Sequence, residues 1–204
     1  MTINDVMQAA PVIPVLVLEG EHDPAALAET LVEAGLPVLE VTLRTPQALE
    51  AIRAMASVSG AIVGAGTVLN DRQLEQAQEA GARFIVAPGL TEPLTRAATA
   101  SGLAYLPGIA TAGDIMRGLD LGLTRFKFFP AEASGGRKAL AALAGPFGSV
   151  RFCPTGGIAA DTAPGWLSEP PVLCVGGSWL VPKGAPDLPA ITAAARAAAA
   201  FHSA

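Results

Sequence analysis

Lys127 is the residue whose type and position most clearly indicate chemistry. The sequence contains three lysines, and this one lies between Phe126 and Phe128 in an apolar run. Burial and a nearby cation such as Arg44 disfavour the charged form of an amine. We therefore expect Lys127 to be neutral often enough near pH 7 to attack a carbonyl carbon and form a Schiff base. The alternative is a structural lysine whose stem is buried and whose ammonium reaches water.

A carboxylate and a guanidinium come from the second apolar run of the chain. Glu40 lies among apolar neighbours in the run 38–42, where an isolated carboxylate is costly, and Arg44 follows shortly after. Together with Lys127 they supply what an imine mechanism needs. The carboxylate can move protons, and the planar guanidinium can bind a substrate carboxylate through two hydrogen bonds. A buried structural ion pair between Glu40 and Arg44 is the competing interpretation.

Two glycine doublets follow the last two apolar runs. One lies in Thr155-Gly156-Gly157 and the other in Gly176-Gly177-Ser178. Glycine lets backbone N–H groups approach an oxyanion closely, and the loops after the last two strands of a parallel barrel often bind phosphate. The two doublets together predict a phosphate site, whereas either one alone is explained by a tight turn.

The elements that must position these residues form a repeating pattern. Eight short apolar runs alternate with segments of helical periodicity, about 20–26 residues apart. The predicted strands are 11–18, 38–42, 61–64, 84–87, 104–106, 125–128, 150–153 and 172–175, and the predicted helices are 24–34, 46–56, 71–80, 93–100, 112–121, 138–143 and 189–201. The pattern predicts an α/β fold, a compact (β/α)8 TIM barrel with an N-terminal helical segment, in a single domain over 1–204. An open doubly wound sheet is the alternative.

Local signals mark where several helices begin. N-caps are predicted at Thr45, Asn70, Thr91 and Thr111. Asp114, three residues after Thr111, completes a capping box, and Pro46 would occupy the first helical position after Thr45. The Pro-rich stretch 163–171 predicts only a short helix before the last strand.

Composition and charge exclude several classes of function. The net charge of −5 comes from 18 acidic and 13 basic residues without a basic cluster, so we expect no nucleic-acid or anionic-membrane partner. No apolar stretch approaches the roughly 20 residues that a bilayer needs, and we expect a cytoplasmic protein. Cys153 and Cys174 are predicted to be reduced, buried thiols. With only His22 and His202 as histidines, we predict neither a metal site nor a cofactor.

Six motifs, in order and spacing over about 11–182, resemble those of 2-keto-3-deoxy-6-phosphogluconate (KDPG) aldolase, also called 4-hydroxy-2-oxoglutarate (KHG) aldolase. They are 40–44, 64–69, 87–92, 126–132, 152–158 and 176–180. The resemblance implies a metal-independent class I aldolase on a (β/α)8 barrel, typically a homotrimer. It further implies cleavage of a phosphorylated keto acid to pyruvate and glyceraldehyde 3-phosphate, and of 4-hydroxy-2-oxoglutarate to pyruvate and glyoxylate.

The resemblance also implies a role for each matched residue. Lys127 would form the imine and Glu40 would shuttle protons, whereas Arg44 and Thr67 would hold the pyruvyl carboxylate. Pro88 and Phe129 would form an apolar wall. At the far end of the substrate, Thr155 would face the hydroxyl groups. The phosphate would bind at Gly156, Gly157, Gly176 and Ser178.

Three other functions remain open at this point. One is a galactonate-series (2-dehydro-3-deoxy-6-phosphogalactonate) aldolase. A second is a phosphosugar isomerase in which Glu40 is the base and Lys127 only an electrostatic stabiliser. A non-catalytic sensor of phosphorylated metabolites is the third.

Overall fold

The structure is a computed structural model that describes residues 1–19, 23–182 and 187–201. Helices and strands alternate along these ranges. The helices are α1 Ile3–Gln8, α2 Pro24–Glu33, α3 Ala48–Ala56, α4 Asp71–Glu79, α5 Glu92–Ser101, α6 Ala112–Asp120, α7 Gly136–Ala144, α8 Ala163–Leu167 and α9 Leu188–Ala199. The strands are β1 Val12–Leu16, β2 Val38–Thr42, β3 Ile62–Gly66, β4 Phe84–Val86, β5 Ala104–Leu106, β6 Gly108–Ile109, β7 Arg125–Phe128, β8 Arg151–Pro154 and β9 Val175–Gly177.

The strands pair in parallel and nearly in chain order. Six form a sheet in the order β5-β4-β3-β2-β1-β9, and three form a sheet in the order β6-β7-β8. This order lacks the reversal that defines a doubly wound sheet, so that alternative is wrong. The fold is therefore an α/β fold with a curled parallel sheet.

The curl of the sheet is visible in one long-range contact. Glu40 on β2 and Lys127 on β7 belong to different sheets, yet their side chains meet 3.0 Å apart. Two flat sheets side by side would keep these strands apart. Both sheets therefore curve around a common interior, and their carboxyl edges face the same end of the molecule.

Helix α1 covers the amino-terminal end of this interior. Val6 and Met7 are fully buried in a cluster with the first residues of several strands, among them Val38 and Phe84. The α1 N-terminus carries a capping box between Thr2 and Asp5. The predicted N-terminal helical segment is thereby confirmed, and apolar side chains close the end of the sheet opposite the candidate site.

The remaining helices pack on the outer face of the strands. Their apolar stripes bury a second, larger cluster that includes Phe126, Phe128 and Phe152. The Ala-rich tail forms α9, which begins at the N-cap Asp187 and buries Ile191 in this larger cluster. No helix within 1–19, 23–182 and 187–201 is both long and apolar enough to cross a membrane.

Local details differ from the prediction at α3 and directly after the fifth strand. The N-cap of α3 is Gln47, not Thr45, because 43–47 are used by a turn in which the Arg44 N–H donates to the Thr42 carbonyl. The predicted fifth strand, 104–106, is confirmed as β5, but an unpredicted two-residue strand, β6, follows it. Pro107, which has no N–H to donate to a strand ladder, separates the two.

The other predicted helix starts fit the structure more closely. The N-caps Asn70 and Thr111 are confirmed, the latter with the Asp114 capping box, and Thr91 is an N-cap without a side-chain hydrogen bond. As predicted from its prolines, α8 is short.

Candidate active site

The centre of the candidate site is a buried pair of opposite charges. Lys127 Nζ lies 3.0 Å from Glu40 Oε1 and 3.4 Å from Oε2. The Lys127 side chain is 7% exposed and that of Glu40 is 4% exposed. The amine also lies 5.4 Å from the centroid of the Phe129 ring, which forms an apolar wall beside it. The predicted proximity of the lysine and the carboxylate is therefore present in the structure.

The hydrogen-bonding partner of the Lys127 amine is a carboxylate. The Glu40 carboxylate forms an ion pair with this amine. An amine attacks a carbonyl carbon only in its unprotonated form, so a proton acceptor beside it is needed. Glu40 lies at hydrogen-bonding distance to take that proton.

Arg44 lies at the carboxyl edge with its side chain exposed to solvent. Its Nε donates to Thr67 Oγ1 at 3.2 Å, so the competing interpretation, a buried ion pair with Glu40, is wrong. Thr67 directly follows β3 and has a φ of 59°, a left-handed conformation that a β-branched residue rarely adopts. The conformation aims the Thr67 hydroxyl at the guanidinium. Both groups thus lie together at the carboxyl edge, one after the strand that carries Glu40 and the other after the neighbouring strand β3.

Gly66, the last residue of β3, makes room for the lysine–carboxylate pair and was not identified as a site residue from the sequence. A Cβ at this position would overlap the Glu40 carboxylate. The signal was available in Gly64-Ala65-Gly66-Thr67, because glycine inside a strand indicates close approach of another group. We call Glu40, Arg44, Thr67, Phe129 and Lys127 the lysine end of the site.

The two glycine doublets lie together at the same edge. Thr155 follows β8 and forms a parallel bridge with Gly176 of β9, where a Cβ would overlap the Thr155 hydroxyl. Gly156 and Gly157 have φ values of 103° and 80°, so both adopt the left-handed conformation that glycine permits. These residues and the exposed Ser178 directly after β9 form what we call the glycine end.

The loop of β7 joins the two ends. The Ala131 N–H donates to the Thr155 carbonyl at 2.8 Å, and the Thr155 N–H donates to the Phe128 carbonyl at 2.9 Å. Pro88, which follows β4, is half-buried, and its carbonyl lies so close to Gly108 that a Cβ there would overlap it. The structure therefore brings the residues predicted for the wall and the glycine loops to one edge of the sheet.

Two thiols lie below the pair and take no part in it. Cys153 and Cys174 are both free and buried, as predicted from the sequence. A hydrogen bond with Cys153, burial and the Glu40 charge raise the pKa of the Cys174 thiol. This thiol stays protonated near neutral pH, which excludes it as a nucleophile in the resting protein.

The structure offers no cluster of metal ligands within the ranges it describes. No group of three or more His, Cys, Asp or Glu side chains there could hold a metal ion. His22, predicted to lie at the surface, and His202 in the tail lie outside the described residues.

A buried lysine–carboxylate pair at the carboxyl edge of parallel strands is the arrangement of an enzyme that works through its lysine. The family model for KDPG and KHG aldolases matches residues 3–194. A 2-dehydro-3-deoxy-phosphogluconate aldolase of Zymomonas mobilis is 60% identical over 202 residues, 99% of this chain and 97% of the relative. A KHG/KDPG aldolase of Escherichia coli K12 is 54% identical over 183 residues, 89% of this chain and 86% of the relative.

Solved structures agree with these relatives. The Zymomonas mobilis 2-keto-3-deoxy-6-phosphogluconate aldolase, crystallised with 3-phosphoglycerate, superposes with a TM-score of 0.97 at 60% identity, covering 99% of this chain and 97% of that one. A KDPG aldolase of Legionella pneumophila, with pyruvate captured as a covalent carbinolamine, has a TM-score of 0.93 at 41% identity and covers 98% and 99%. The chain belongs to the KDPG and KHG aldolase family, and its activity is that of a lyase acting on carbon–carbon bonds.

Proposed function

We propose that this chain is a class I aldolase that cleaves 2-dehydro-3-deoxy-6-phosphogluconate to pyruvate and D-glyceraldehyde 3-phosphate. We propose 4-hydroxy-2-oxoglutarate, which would give pyruvate and glyoxylate, as a second substrate. The observation that carries the proposal is the 3.0 Å contact between the buried Lys127 amine and the Glu40 carboxylate. Relatives of high identity named for the gluconate substrate support it over the galactonate epimer.

The proposed reaction begins with proton transfer from Lys127 Nζ to Glu40. The free amine attacks the C2 carbonyl carbon of the substrate and forms a neutral carbinolamine. Glu40 then gives its proton to the carbinolamine hydroxyl group, which leaves as water, so that an iminium ion forms and Glu40 is a carboxylate again. This iminium accepts the electron pair of the C3–C4 bond as that bond breaks. Glu40 takes the proton of the C4 hydroxyl group at the same time, and the aldehyde leaves. Finally, the enamine is protonated at C3, and water hydrolyses the iminium to pyruvate and free Lys127.

The other residues are proposed to bind the substrate and hold its C2 carbonyl carbon beside Lys127. Arg44 and Thr67 would bind the pyruvyl carboxylate, because a guanidinium and a hydroxyl presented at one point suit that group. Pro88 and Phe129 would pack against its apolar carbons. At the glycine end, Thr155 would face the hydroxyl groups, and the phosphate would bind at Gly156, Gly157, Gly176 and Ser178.

We further infer that the two sheets are parts of one eight-stranded barrel in a single domain. Pro107 alone separates β5 from β6, so these two strands count as one. Isolated parallel bridges, Phe152 with Val172 and Thr155 with Gly176, join β8 to the segment of β9. These contacts support a closed order around the interior. The homotrimer and the cytoplasmic location stay predictions, and sedimentation equilibrium tests the former.

The decisive experiment is reductive trapping. Treatment with pyruvate and borohydride is expected to attach one pyruvate-derived group irreversibly to Lys127, which peptide mass spectrometry locates. The matched control is Lys138, an exposed lysine on α7: Lys138→Arg is expected to be labelled, and Lys127→Arg is not. Absence of label on Lys127 would overturn the proposal. Assays of the gluconate and galactonate substrates side by side test the substrate assignment.

A further inference from the structure

Glu132, on the loop that follows β7, connects parts of the molecule that are separate in sequence. The loop begins directly after the strand that carries Lys127. Although Glu132 is exposed to solvent, both its backbone and its side chain make specific contacts. None of these contacts is to the lysine end, so the mechanism described above does not use them.

The first set of contacts is with the loop 155–157 of the glycine end. The Glu132 N–H donates to the Gly156 carbonyl at 3.1 Å. Its side chain runs directly across Gly157, where an added Cβ would lie 2.7 Å from Glu132 Cβ and 2.8 Å from Cγ. Glu132 therefore lies against the glycine loop through both its backbone and its side chain.

The second contact is with a buried tryptophan. Trp166 Nε1 donates to Glu132 Oε1 at 2.9 Å, and Trp166 itself is 1% exposed. Its ring packs on Phe128, with the ring centroids 6.3 Å apart. Trp166 lies on α8, the helix that precedes β9, and β9 contains the second glycine doublet. A buried indole N–H without an acceptor is costly, so this hydrogen bond anchors the carboxylate firmly.

We propose that Glu132 is a positioning residue for the glycine end. Its carboxylate, held by Trp166, would keep the loop 155–157 where its backbone N–H groups meet the phosphate of the substrate. The inference rests on the proposed function, because it concerns the phosphate of that substrate. It assigns Glu132 to the discrimination between phosphorylated and unphosphorylated substrates, and not to imine formation.

The test compares three reactions of each variant. They are cleavage of 2-dehydro-3-deoxy-6-phosphogluconate, cleavage of 4-hydroxy-2-oxoglutarate, and exchange of the pyruvate methyl protons with deuterium followed by NMR. Exchange requires the lysine end alone. In Glu132→Ala, KM for the phosphorylated substrate is expected to rise about tenfold, in line with the loss of one anion-binding hydrogen bond. The other two reactions are expected to change by less than about twofold, within the range of an ordinary surface substitution.

Matched variants separate the hydrogen bond from other effects. Glu132→Gln retains an oxygen that accepts from Trp166 Nε1, so it is expected to restore the preference for the phosphorylated substrate. Trp166→Phe removes the donor and keeps a ring, and it is expected to reproduce Glu132→Ala. Glu169→Ala removes another carboxylate near α8, one that pairs with Arg137 at 3.6 Å, and it is expected to leave the preference unchanged.

Each outcome either supports or overturns the positioning role of Glu132. If Glu132→Ala leaves the ratio of the two kcat/KM values unchanged, or lowers all three reactions equally, the positioning role is wrong. If the wild-type protein neither exchanges pyruvate protons nor cleaves either substrate, the proposed function itself fails. The two failures are distinguished by the wild-type measurements alone.

Discussion

The lysine end and the glycine end of the site are built from different parts of the chain. At the lysine end, side chains from β2 and β7 meet in a buried interior, and the key contact is one between two side chains. At the glycine end, the proposed ligands are mostly backbone groups, exposed by residues with little or no side chain. The comparison teaches that the lysine end depends on two side chains that must meet, whereas the glycine end depends on backbone groups that must stay uncovered.

The largest effect is expected from removing the amine. Lys127→Ala should lower kcat on the order of 10³-fold or more, because the variant lacks the amine on which the imine is proposed to form. Steady-state assays and borohydride trapping measure the loss. Lys138→Ala serves as the control, and retention of full activity in Lys127→Ala would contradict the assignment of the lysine end.

Adding a methyl group at the lysine end is expected to have the next largest effect. In Gly66→Ala, the new Cβ would occupy the place of the Glu40 carboxylate, which can swing aside only by leaving Lys127. Proton exchange of pyruvate should slow by about 10²-fold, the lower range for loss of a general acid–base. The control is Gly113→Ala on α6, where there is space for a Cβ. Unchanged exchange would show that the contact is dispensable.

The same added methyl group at the glycine end sharpens the comparison. In Gly176→Ala, the Cβ would overlap the Thr155 hydroxyl and push the loop of β8 away. We expect KM for the phosphorylated substrate to rise about tenfold, the equivalent of one hydrogen bond to a charged group. Pyruvate exchange should stay close to the wild-type rate. A loss of exchange as large as in Gly66→Ala would mean that the two ends do not act separately.

The smallest effect is expected away from both ends, at the start of α6. Burial raises the pKa of Asp114, but hydrogen bonds from Thr111, the Ala110 N–H and Arg117 outweigh it and lower the pKa below 3.8. The charged form therefore stabilises the fold above the unfolded value, and that contribution is lost as pH falls through the lower, folded value.

Thermal unfolding measures this contribution. Asp114→Asn should cost about 0.5–1 kcal/mol at neutral pH, the scale of a capping interaction, and the difference from wild type should shrink below about pH 4. Asp120→Asn, at the other end of α6, should cause no loss, since an acidic side chain there opposes the helix dipole. A loss that does not depend on pH would contradict the role of the charge.

Much of the fold was predictable because its signals are local. Apolar runs predicted most of the strands, although β6 was not predicted and β9 shares only one residue with the predicted run 172–175. Asn70, Thr111 and the prolines of 163–171 marked helix ends correctly. Thr45 failed as an N-cap because its place is set by a tertiary demand, the turn that carries Arg44 to the carboxyl edge. Capping propensity alone does not include that demand.

The candidate site was predictable in its residues and less so in its electrostatics. Lys127 and Glu40 were conspicuous because charged residues in apolar strands are costly. The sequence does not show that Lys127 pairs with Glu40 and that Arg44 bonds to Thr67, because these contacts depend on which strands face each other across the interior. Glu132 and Trp166 lie 34 residues apart, and no short-range pattern relates an exposed carboxylate to an indole at that separation.

Helix α1, with its apolar side chains, closes the end of the interior that lies below Lys127. Within the part of the chain that the structure describes, the hydrolytic water would then have to arrive from the carboxyl edge, the side from which the substrate itself would enter. A bound aldehyde would stand in its way. The bound aldehyde would thus keep water away from the covalent intermediate until the aldehyde has left. The aldehyde would therefore be released before pyruvate.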